Sequence, residues 1–290
     1  MNDYLISVLL GVIEGLTEFL PISSTAHLRI AESLLGIDLS SSYWKMYSVV
    51  IQLGAILSVL VYFSGRILKF LSTFPRGERG DRTFLTHPLS LTLLAFVITA
   101  IPSYLLHKKI GANLESLYIM GGSLLVGGII MWVVDAVYTH PRTDHMEDMN
   151  IFQAMWIGLM QILSAVFPGT SRSMATIAAG QVVEMSRSAA LEFSFFLSIP
   201  TMIAATGYEL LKTVVPHRSS SGDTLTPVAM DSHGWIVLGI GFVVSFLVAW
   251  AVVAWFMHWV RRRGFVPFAV YRIVVGVYVL FLAWQAARVA

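Results

Sequence analysis

The sequence predicts an all-α polytopic membrane protein with six transmembrane helices and two re-entrant helical hairpins, arranged as two inverted-topology repeats. The composition supports the membrane class, because 56% of the 290 residues are hydrophobic and only 12% are charged, whereas soluble domains contain about 25% charged residues. Six apolar stretches are each long enough, at about 20 residues, to cross a bilayer. One polar motif occurs twice, which indicates a duplication within a single membrane domain, residues 1–290.

The charge and cysteine content exclude several other classes of protein. The formal net charge is +2, which is too small to indicate a nucleic-acid partner. The chain contains no cysteine, so disulfides and thiolate metal sites are excluded.

The first repeat, about residues 1–138, opens with a broken helix. Residues 4–22 are apolar enough for a span, but Glu14, Glu18 and Pro21 interrupt it, and a second short helix follows to about residue 35. This order of helix, break and helix predicts a re-entrant hairpin, since irregular backbone at membrane depth needs a covering of protein or a water-filled cavity. Three spans are predicted next, at 43–64, 85–106 and 116–138.

The second repeat, about residues 150–290, has the same order of elements. Its broken segment is predicted at 151–182, and its spans lie near 187–212, 234–259 and 267–289. Placing Pro21 over Pro168 aligns Gly11 with Gly158, Glu14 with Gln161, Thr17 with Ser164 and Ser24 with Ser171.

Basic residues in the loops predict the orientation, since cytoplasmic loops are rich in Lys and Arg. Loops 65–84 and 260–266 contain Arg66, Lys69, Arg76, Arg79, Arg82, Arg261, Arg262 and Arg263. With both loops in the cytoplasm, loop 139–150 is also inside, whereas loops 107–115 and 213–233 and both termini are periplasmic. Lys108 and Lys109 oppose this orientation, but they are outnumbered. The two broken segments then enter from opposite faces, as in proteins that form a site near the bilayer midplane.

Glu14 and Glu18 are the first candidates for chemistry. Four residues apart on a helix, they share one face, and two such carboxylates in a low dielectric require a cation between them or a shared proton. Mg²⁺ or Ca²⁺, hard cations that bind carboxylate and phosphate oxygens, would meet that need. The alternatives are a pair of glutamates facing an aqueous vestibule, or a proton relay.

Hydroxyl runs follow both prolines, at 23–25 and at 170–173. Ser and Thr are preferred N-caps, and the N-terminus of a helix favours phosphate. Two such N-termini brought together would hold a diphosphate, and Arg172 adds a planar donor fork suited to phosphate oxygens. Plain helix capping is the alternative for each hydroxyl run.

Four further polar residues are interpreted from their positions in the chain. His27 lies three residues after Ser24, so it is a candidate to activate a seryl nucleophile or to protonate a leaving group, or it is a bystander. Gln52 and Glu192 each lie one helix after a broken segment, where they are plausible cavity-lining groups. Arg272 is interpreted as interfacial or structural.

Several of these stretches together resemble the undecaprenyl-diphosphate phosphatase, or bacitracin-resistance protein, family of bacteria. The similarity covers nearly the whole chain and is strongest over segments 14–27 and 168–176, with further matches at 50–54, 192–195 and 267–272. The resemblance implies a divalent-metal-dependent inner-membrane enzyme that removes the terminal phosphate of undecaprenyl diphosphate at a site open to the periplasm. The catalytic candidates are then Glu14, Glu18, Ser24, His27 and Arg172, with Glu14 and Glu18 as metal ligands, and the substrate-binding candidates are Ser23, Thr25, Gln52, Gly169, Ser171, Ser173 and Thr176.

A polyprenyl-phosphate transporter or flippase is the alternative function, since inverted repeats with broken helices are also transporter architecture. Within the enzyme reading, attack by Ser24 and direct attack by water both stay open. The expected partners are the polyprenyl diphosphate lipid and the bilayer, and a homodimer is one of the oligomeric states left open.

Overall fold

The computed structural model describes residues 2–37, 41–106, 116–214, 217–218, 224–225 and 230–289. These ranges are almost wholly helical, which confirms the all-α class. The α-helices, numbered in chain order within the described ranges, are α1 Asp3–Thr17, α2 Ser24–Leu34, α3 Ser42–Tyr62, α4 Ser64–Thr73, α5 Pro88–Leu105, α6 Leu117–Val137, α7 Ile151–Val166, α8 Arg172–Val182, α9 Arg187–Val214, α10 Ser232–Arg263 and α11 Val266–Val289. The described ranges also contain one 3-10 turn, Met146–Asp148, and two short antiparallel strands, His217–Arg218 and Thr224–Leu225.

Six of these helices, α3, α5, α6, α9, α10 and α11, are long and apolar enough to cross a membrane. They confirm the six predicted spans, with boundaries that differ by only a few residues. The predicted outer loop 107–115 lies outside the described residues, as does most of the predicted loop 213–233.

Two segments that the sequence analysis assigned to loops are helical. Residues 64–73 form α4, in which Phe70 is buried while Leu68 and Leu71 are exposed. Basic and apolar residues are interleaved there, a pattern typical of a helix lying in the membrane interface. Arg261, Arg262 and Arg263 form the last turn of α10 rather than a loop, because positive charge is favourable at the C-terminus of a helix.

Each half of the chain contains the predicted broken helix. The side chain of Asn2 caps α1, and a reciprocal pair of hydrogen bonds between Asn150 and Gln153 caps α7. Both helices end shortly before a proline, which cannot continue the hydrogen-bond ladder. The chain then restarts as α2 and α8, and the residue before each restart has a positive φ, 75° at Ser23 and 69° at Ser171.

The first helix of each break packs against a long span from the other half of the chain. α1 packs against α10, and α7 packs against α5. The helices approach closely at glycines: a Cβ on Gly11 would lie 2.8 Å from the carbonyl oxygen of Gly241, and one on Gly158 would lie 2.5 Å from that of Ala95. Small residues therefore let the broken segments lie deep among the spans.

Glu192, which was expected from its position to line the cavity, makes an ion pair with a basic residue of α4. Arg66 of α4 donates to Glu192 Oε1 through Nη2 at 2.6 Å and also pairs with Glu147. An arginine from α4 supplies its counter-charge, a long-range pairing that position along the chain does not reveal.

Candidate active site

The two predicted glutamates lie at the end of α1 with different environments. Glu14 is fully buried, and neither of its carboxylate oxygens has a hydrogen-bond partner among the described residues. Glu18, one turn later, is engaged at both oxygens. Because an isolated buried carboxylate is very costly, Glu14 requires a proton or a cation.

Glu18 joins the two breaks. Ser24 Oγ, from the first residue of α2, donates to Glu18 Oε2 at 2.5 Å. Arg172 Nη2, from the first residue of α8, donates to Glu18 Oε1 at 3.2 Å. The structure thus brings three of the predicted catalytic residues into direct contact, although Glu18 and Arg172 are 154 residues apart.

Arg172 is held in place by a second set of contacts. Its Nη1 donates to the carbonyl oxygen of Ser194 at 3.2 Å. Thr176 is fully buried, donates to the carbonyl oxygen of Arg172 at 2.9 Å and shares a 2.7 Å hydrogen bond with the Ser194 hydroxyl. Thr176, a predicted substrate-binding residue, therefore supports Arg172 in this geometry.

Of the remaining predicted residues of the second break, Ser173 also contacts the first break. Ser173 Oγ donates to the carbonyl oxygen of Leu20 at 3.0 Å and lies 3.0 Å from Ser171 Oγ. Gly169 has φ 93°, and a Cβ there would lie 2.4 Å from the carbonyl oxygen of Met120. Only glycine fits this position, both for its backbone conformation and for the space.

Arg272 ties both breaks together from α11. It is completely buried, and its guanidinium donates to the carbonyl oxygens of Pro21 at 3.1 Å, Gly169 at 3.0 Å and Ser123 at 3.1 Å. Of the two interpretations of Arg272, interfacial or structural, these contacts support the structural one. Two of these carbonyls belong to the turns of the breaks, and the third belongs to α6.

The alignment that places Pro21 over Pro168 is shifted by one residue after the prolines. The residues in matching backbone positions are Ser23 and Ser171, so Ser24 corresponds to Arg172 and not to Ser171. The second break contains one more residue between its proline and its helix than the first. A turn through Gly169 accommodates that residue, and an alignment on the prolines alone does not detect it.

His27 contacts Tyr271 rather than Ser24. His27 Nδ1 lies 2.7 Å from the carbonyl oxygen of Ser23, and Nε2 lies 2.7 Å from the Tyr271 hydroxyl. Since a carbonyl only accepts, Nδ1 carries a proton, and in the neutral ring Nε2 accepts from Tyr271. The two rings are stacked, with centroids 5.6 Å apart. The predicted role of His27 as a base for Ser24 has no support in this geometry.

The other predicted substrate-binding residues are more dispersed. Ser23 is buried and makes no capping hydrogen bond with its side chain, so the N-terminus of α2 lacks a side-chain cap. Thr25 is exposed, and Gln52 is half-buried on α3. Within the described ranges, no hydrogen bond joins Gln52 to either break.

A divalent cation fits the donor set at the first break. Glu14 has two buried oxygens without partners, and Glu18 follows one turn later. The described residues contain no group of three His, Asp or Glu side chains that could hold a metal alone. In proteins, Mg²⁺ is commonly bound by one or two carboxylates, and substrate phosphate oxygens complete its coordination.

Three participants were not given these roles from sequence. Ser194 supports Arg172, Tyr271 holds His27, and Arg272 links the breaks. Each lies in a stretch, 192–195 or 267–272, whose similarity to the family was recognised. The signal was therefore present, but the contact partners are far away in the chain.

The chain matches known proteins along nearly its full length. Residues 7–278 match the family model described as bacitracin resistance protein BacA. A protein named undecaprenyl-diphosphatase from Koribacter versatilis is 63% identical over 289 residues, which cover 99% of this chain and 100% of that protein. Another of that name from Caldanaerobacter subterraneus is 41% identical over 278 residues, 96% of this chain and 95% of the relative. The chain belongs to the bacitracin resistance protein BacA family.

Proposed function

We propose that this chain hydrolyses undecaprenyl diphosphate to undecaprenyl phosphate and inorganic phosphate, which recycles the lipid carrier for cell-wall synthesis and gives resistance to bacitracin. The observation that carries the proposal is the contact of Glu18 with both Ser24 and Arg172. In this proposal the Ser24 hydroxyl is the nucleophile, the Glu18 carboxylate is its base and the Arg172 guanidinium binds phosphate, and their mutual contacts support action on one phosphoryl group. The names of the two relatives agree with this reaction.

The two halves of the chain are inverted repeats, in this proposal, and each broken helix is a re-entrant hairpin. Reciprocal packing supports it, since α1 of the first half packs on α10 of the second while α7 of the second packs on α5 of the first. The basic residues of α4 and of the loop after it, together with the arginines at the end of α10, support a cytoplasmic location for those segments. The site and both termini then face the periplasm of a bacterial inner membrane.

Because the chain has no cysteine, single-cysteine variants test this orientation directly. A membrane-impermeant maleimide applied to spheroplasts should label Asn2→Cys but not Glu78→Cys until the membrane is opened. The reverse pattern would contradict the periplasmic site.

The proposed reaction begins with Ser24. Its Oγ attacks the terminal phosphorus, the bond from that phosphorus to the bridging oxygen breaks, and the serine proton passes to Glu18. Arg172 and the uncapped N-terminus of α2 stabilise charge on the phosphoryl oxygens, the dominant contribution in phosphoryl transfer. Water then cleaves the phosphoserine bond, Glu18 returns its proton to Ser24 Oγ, and the surplus proton of the water goes to solvent. Direct attack of water on the diphosphate is the alternative route.

His27 serves the leaving group in this scheme rather than the nucleophile. Its Nδ1 proton is committed to the Ser23 carbonyl, and Nε2 faces the partly exposed Tyr271 hydroxyl. In this scheme the protonated ring donates its Nε2 proton to the departing lipid phosphate, which takes the place of the Tyr271 hydroxyl at Nε2, and solvent returns that proton to Nε2 through Tyr271.

Glu14 and Glu18 would hold Mg²⁺ or Ca²⁺ together with substrate oxygens. When bound, such an ion neutralises charge on the diphosphate. Glu14 contributes a carboxylate that otherwise has no partner among the described residues.

Phosphate release from undecaprenyl diphosphate by purified protein in detergent tests the function. Hydrolysis proceeds in detergent, whereas transport requires two sealed compartments, so release with added Mg²⁺ and loss of release with chelator are expected. Folded protein that releases no phosphate with either cation would overturn the proposal. Labelled phosphate on Ser24 after rapid quenching is expected for serine attack, and its absence in active enzyme would favour direct attack by water.

A further inference from the structure

An apolar cavity of about 440 Å³ lies between α6, α7 and α8, and nothing in the reaction above uses it. Its walls are almost entirely aliphatic or aromatic, with Val126 and Ile130 from α6, Met160 and Leu163 from α7, and Ala178 from α8. This volume is in the range of pockets that bury most of a small ligand.

One end of this cavity meets the breaks. Thr170, which lies between Gly169 and Ser171, is part of its wall, and so is Ser123. The carbonyl oxygen of Ser123 accepts from the same Arg272 guanidinium that binds the Pro21 and Gly169 carbonyls. The cavity therefore begins at the second break, beside a residue whose carbonyl binds the Arg272 guanidinium that also holds the first break.

The other end lies towards the C-termini of α6 and α8, where Val134 and Val182 line it. From Ser123 to Val134 along α6 is eleven residues, or about 16 Å at the rise of an α-helix. The cavity is thus an elongated apolar channel, open along the exposed side chains of Val126 and Ile130, and one end of it lies at the second break.

We propose that this cavity binds the isoprenoid tail of the substrate, beginning with the units next to the diphosphate, and that it sets the dependence of the reaction on tail length. The proposal rests on the proposed function, because that function supplies the diphosphate at the breaks. A methyl-branched chain needs a wide channel, and the wall offers Gly122, Ala175, Ala178 and Ala179, where side chains are small. Binding of remote, unreactive parts of a substrate is a source of energy for the chemical step.

The position of a blocking side chain along the channel provides the test. A Cβ on Gly122 would meet nothing within 4 Å, so Gly122→Leu fills the channel near the breaks. Ile130 is exposed in the channel wall eight residues later, about 12 Å further along α6, so Ile130→Trp blocks a more distant point. Gly239→Leu on α10 is the matched control, because a Cβ there also meets nothing within 4 Å and Gly239 is not part of the channel.

The measurement is kcat/KM for phosphate release from prenyl diphosphates with tails of 5 to 55 carbons. We expect both channel variants to lower kcat/KM at least tenfold for the 55-carbon substrate and to leave the 5-carbon substrate near the wild-type value. The shortest affected tail should be longer for Ile130→Trp than for Gly122→Leu. The Gly239→Leu control should match the wild type at every length.

Equal losses at every tail length, or the same losses in Gly239→Leu, would overturn the tail assignment and indicate that ordinary bilayer lipid fills the channel. Wild-type protein that hydrolyses no prenyl diphosphate would instead overturn the proposed function. Should the variants not fold, a photoreactive diazirine at the tail end of a 15-carbon diphosphate tests the unmodified protein. Crosslinks are expected within 122–134, 156–163 or 172–182, and crosslinks confined to helices that do not line the channel would contradict the proposal.

Discussion

At the first break the residue that begins the second helix is Ser24, and at the second break it is Arg172. The two side chains start from equivalent backbone positions and both contact Glu18. The equivalent residues of α1 and α7 are Glu14 and Gln161, and their hydrogen bonding differs more strongly. Glu14 has no hydrogen-bond partner in the described structure, whereas Gln161 donates to Thr99 at 3.0 Å and Thr201 at 3.3 Å.

This difference shows how a duplicated backbone acquires a one-sided function. The first break carries the acid, the hydroxyl and the unpartnered carboxylate. The second break carries the guanidinium of Arg172. Its buried amide, Gln161, donates hydrogen bonds to threonines of neighbouring helices. The chemistry of the site therefore depends on contact across the breaks, and variants can separate the two contributions.

The largest effect is expected when the contact across the breaks is removed. Glu18→Ala and Arg172→Ala should each lower kcat at least ~100-fold, since a lost transition-state donor costs about 10²–10³ in rate. The double variant should be little worse than either single one, because groups that act as a unit are not additive. Phosphate release measures all three, with Glu78→Ala, from an exposed ion pair with Lys69, as the control. Losses that multiply would mean that the breaks act independently.

The next largest effect is expected when Glu14 and Gln161, the equivalent residues of the two first helices, are each replaced by the other residue type. For Glu14→Gln we expect a lower rate but no loss of thermal stability. Glu14→Gln should lower activity at least ~10-fold, as loss of a partner around a metal ion does, and should leave thermal stability equal or higher, because it removes a buried charge. Residual activity of this variant should respond less to chelator.

Gln161→Glu is the converse change in the second break. It should cost about 1–3 kcal/mol in stability, because a buried carboxylate replaces the amide that donates to two hydroxyls. Thermal unfolding in detergent measures both variants. A stabilised Gln161→Glu would show that the two breaks tolerate acid equally.

Tyr271→Phe tests the proposed role of His27, because it removes the hydroxyl that contacts His27 Nε2. The lost hydrogen bond, worth about 0.5–1.5 kcal/mol, predicts a fall in kcat of about 2- to 10-fold with little change in KM. A purely structural role would leave the shape of the pH–rate profile unchanged, so we expect one limb of that profile to move. Tyr278→Phe, another partly exposed tyrosine of α11, is the control.

The smallest effect on activity is expected for the ion pairs of α4, whose removal should change stability but not rate. Burial raises the pKa of Glu147, but the hydrogen bonds and charge of Arg66 outweigh it and hold the pKa below the usual glutamate value. A depressed folded pKa contributes stability that is complete above the unfolded value and is lost as the pH falls through the folded value. Melting temperatures measured from pH 7 to 4 should fall at the acid end, and Glu147→Gln should show less of this slope. Its kcat at neutral pH should match the wild type.

The spans and the breaks could be predicted from the sequence because hydropathy and proline act locally. The contact between Glu18 and Arg172 was predictable because the motif is duplicated. The extra residue at Gly169, however, shifts the match between the breaks without leaving a hydrophobic signal. The pairing of Glu192 with Arg66, and that of His27 with Tyr271, depends on helix packing between distant segments, which local patterns do not encode.

The buried guanidinium of Arg272 constrains how this protein can move. One side chain holds peptide carbonyls from both halves of the molecule, so a rocking motion of one half against the other would have to rupture charge-assisted bonds in a medium that offers no replacement partners. We therefore expect both halves of the catalytic centre to move as one rigid body. Such a clamp suits an enzyme that keeps a fixed register between two phosphates, and it opposes an alternating-access cycle.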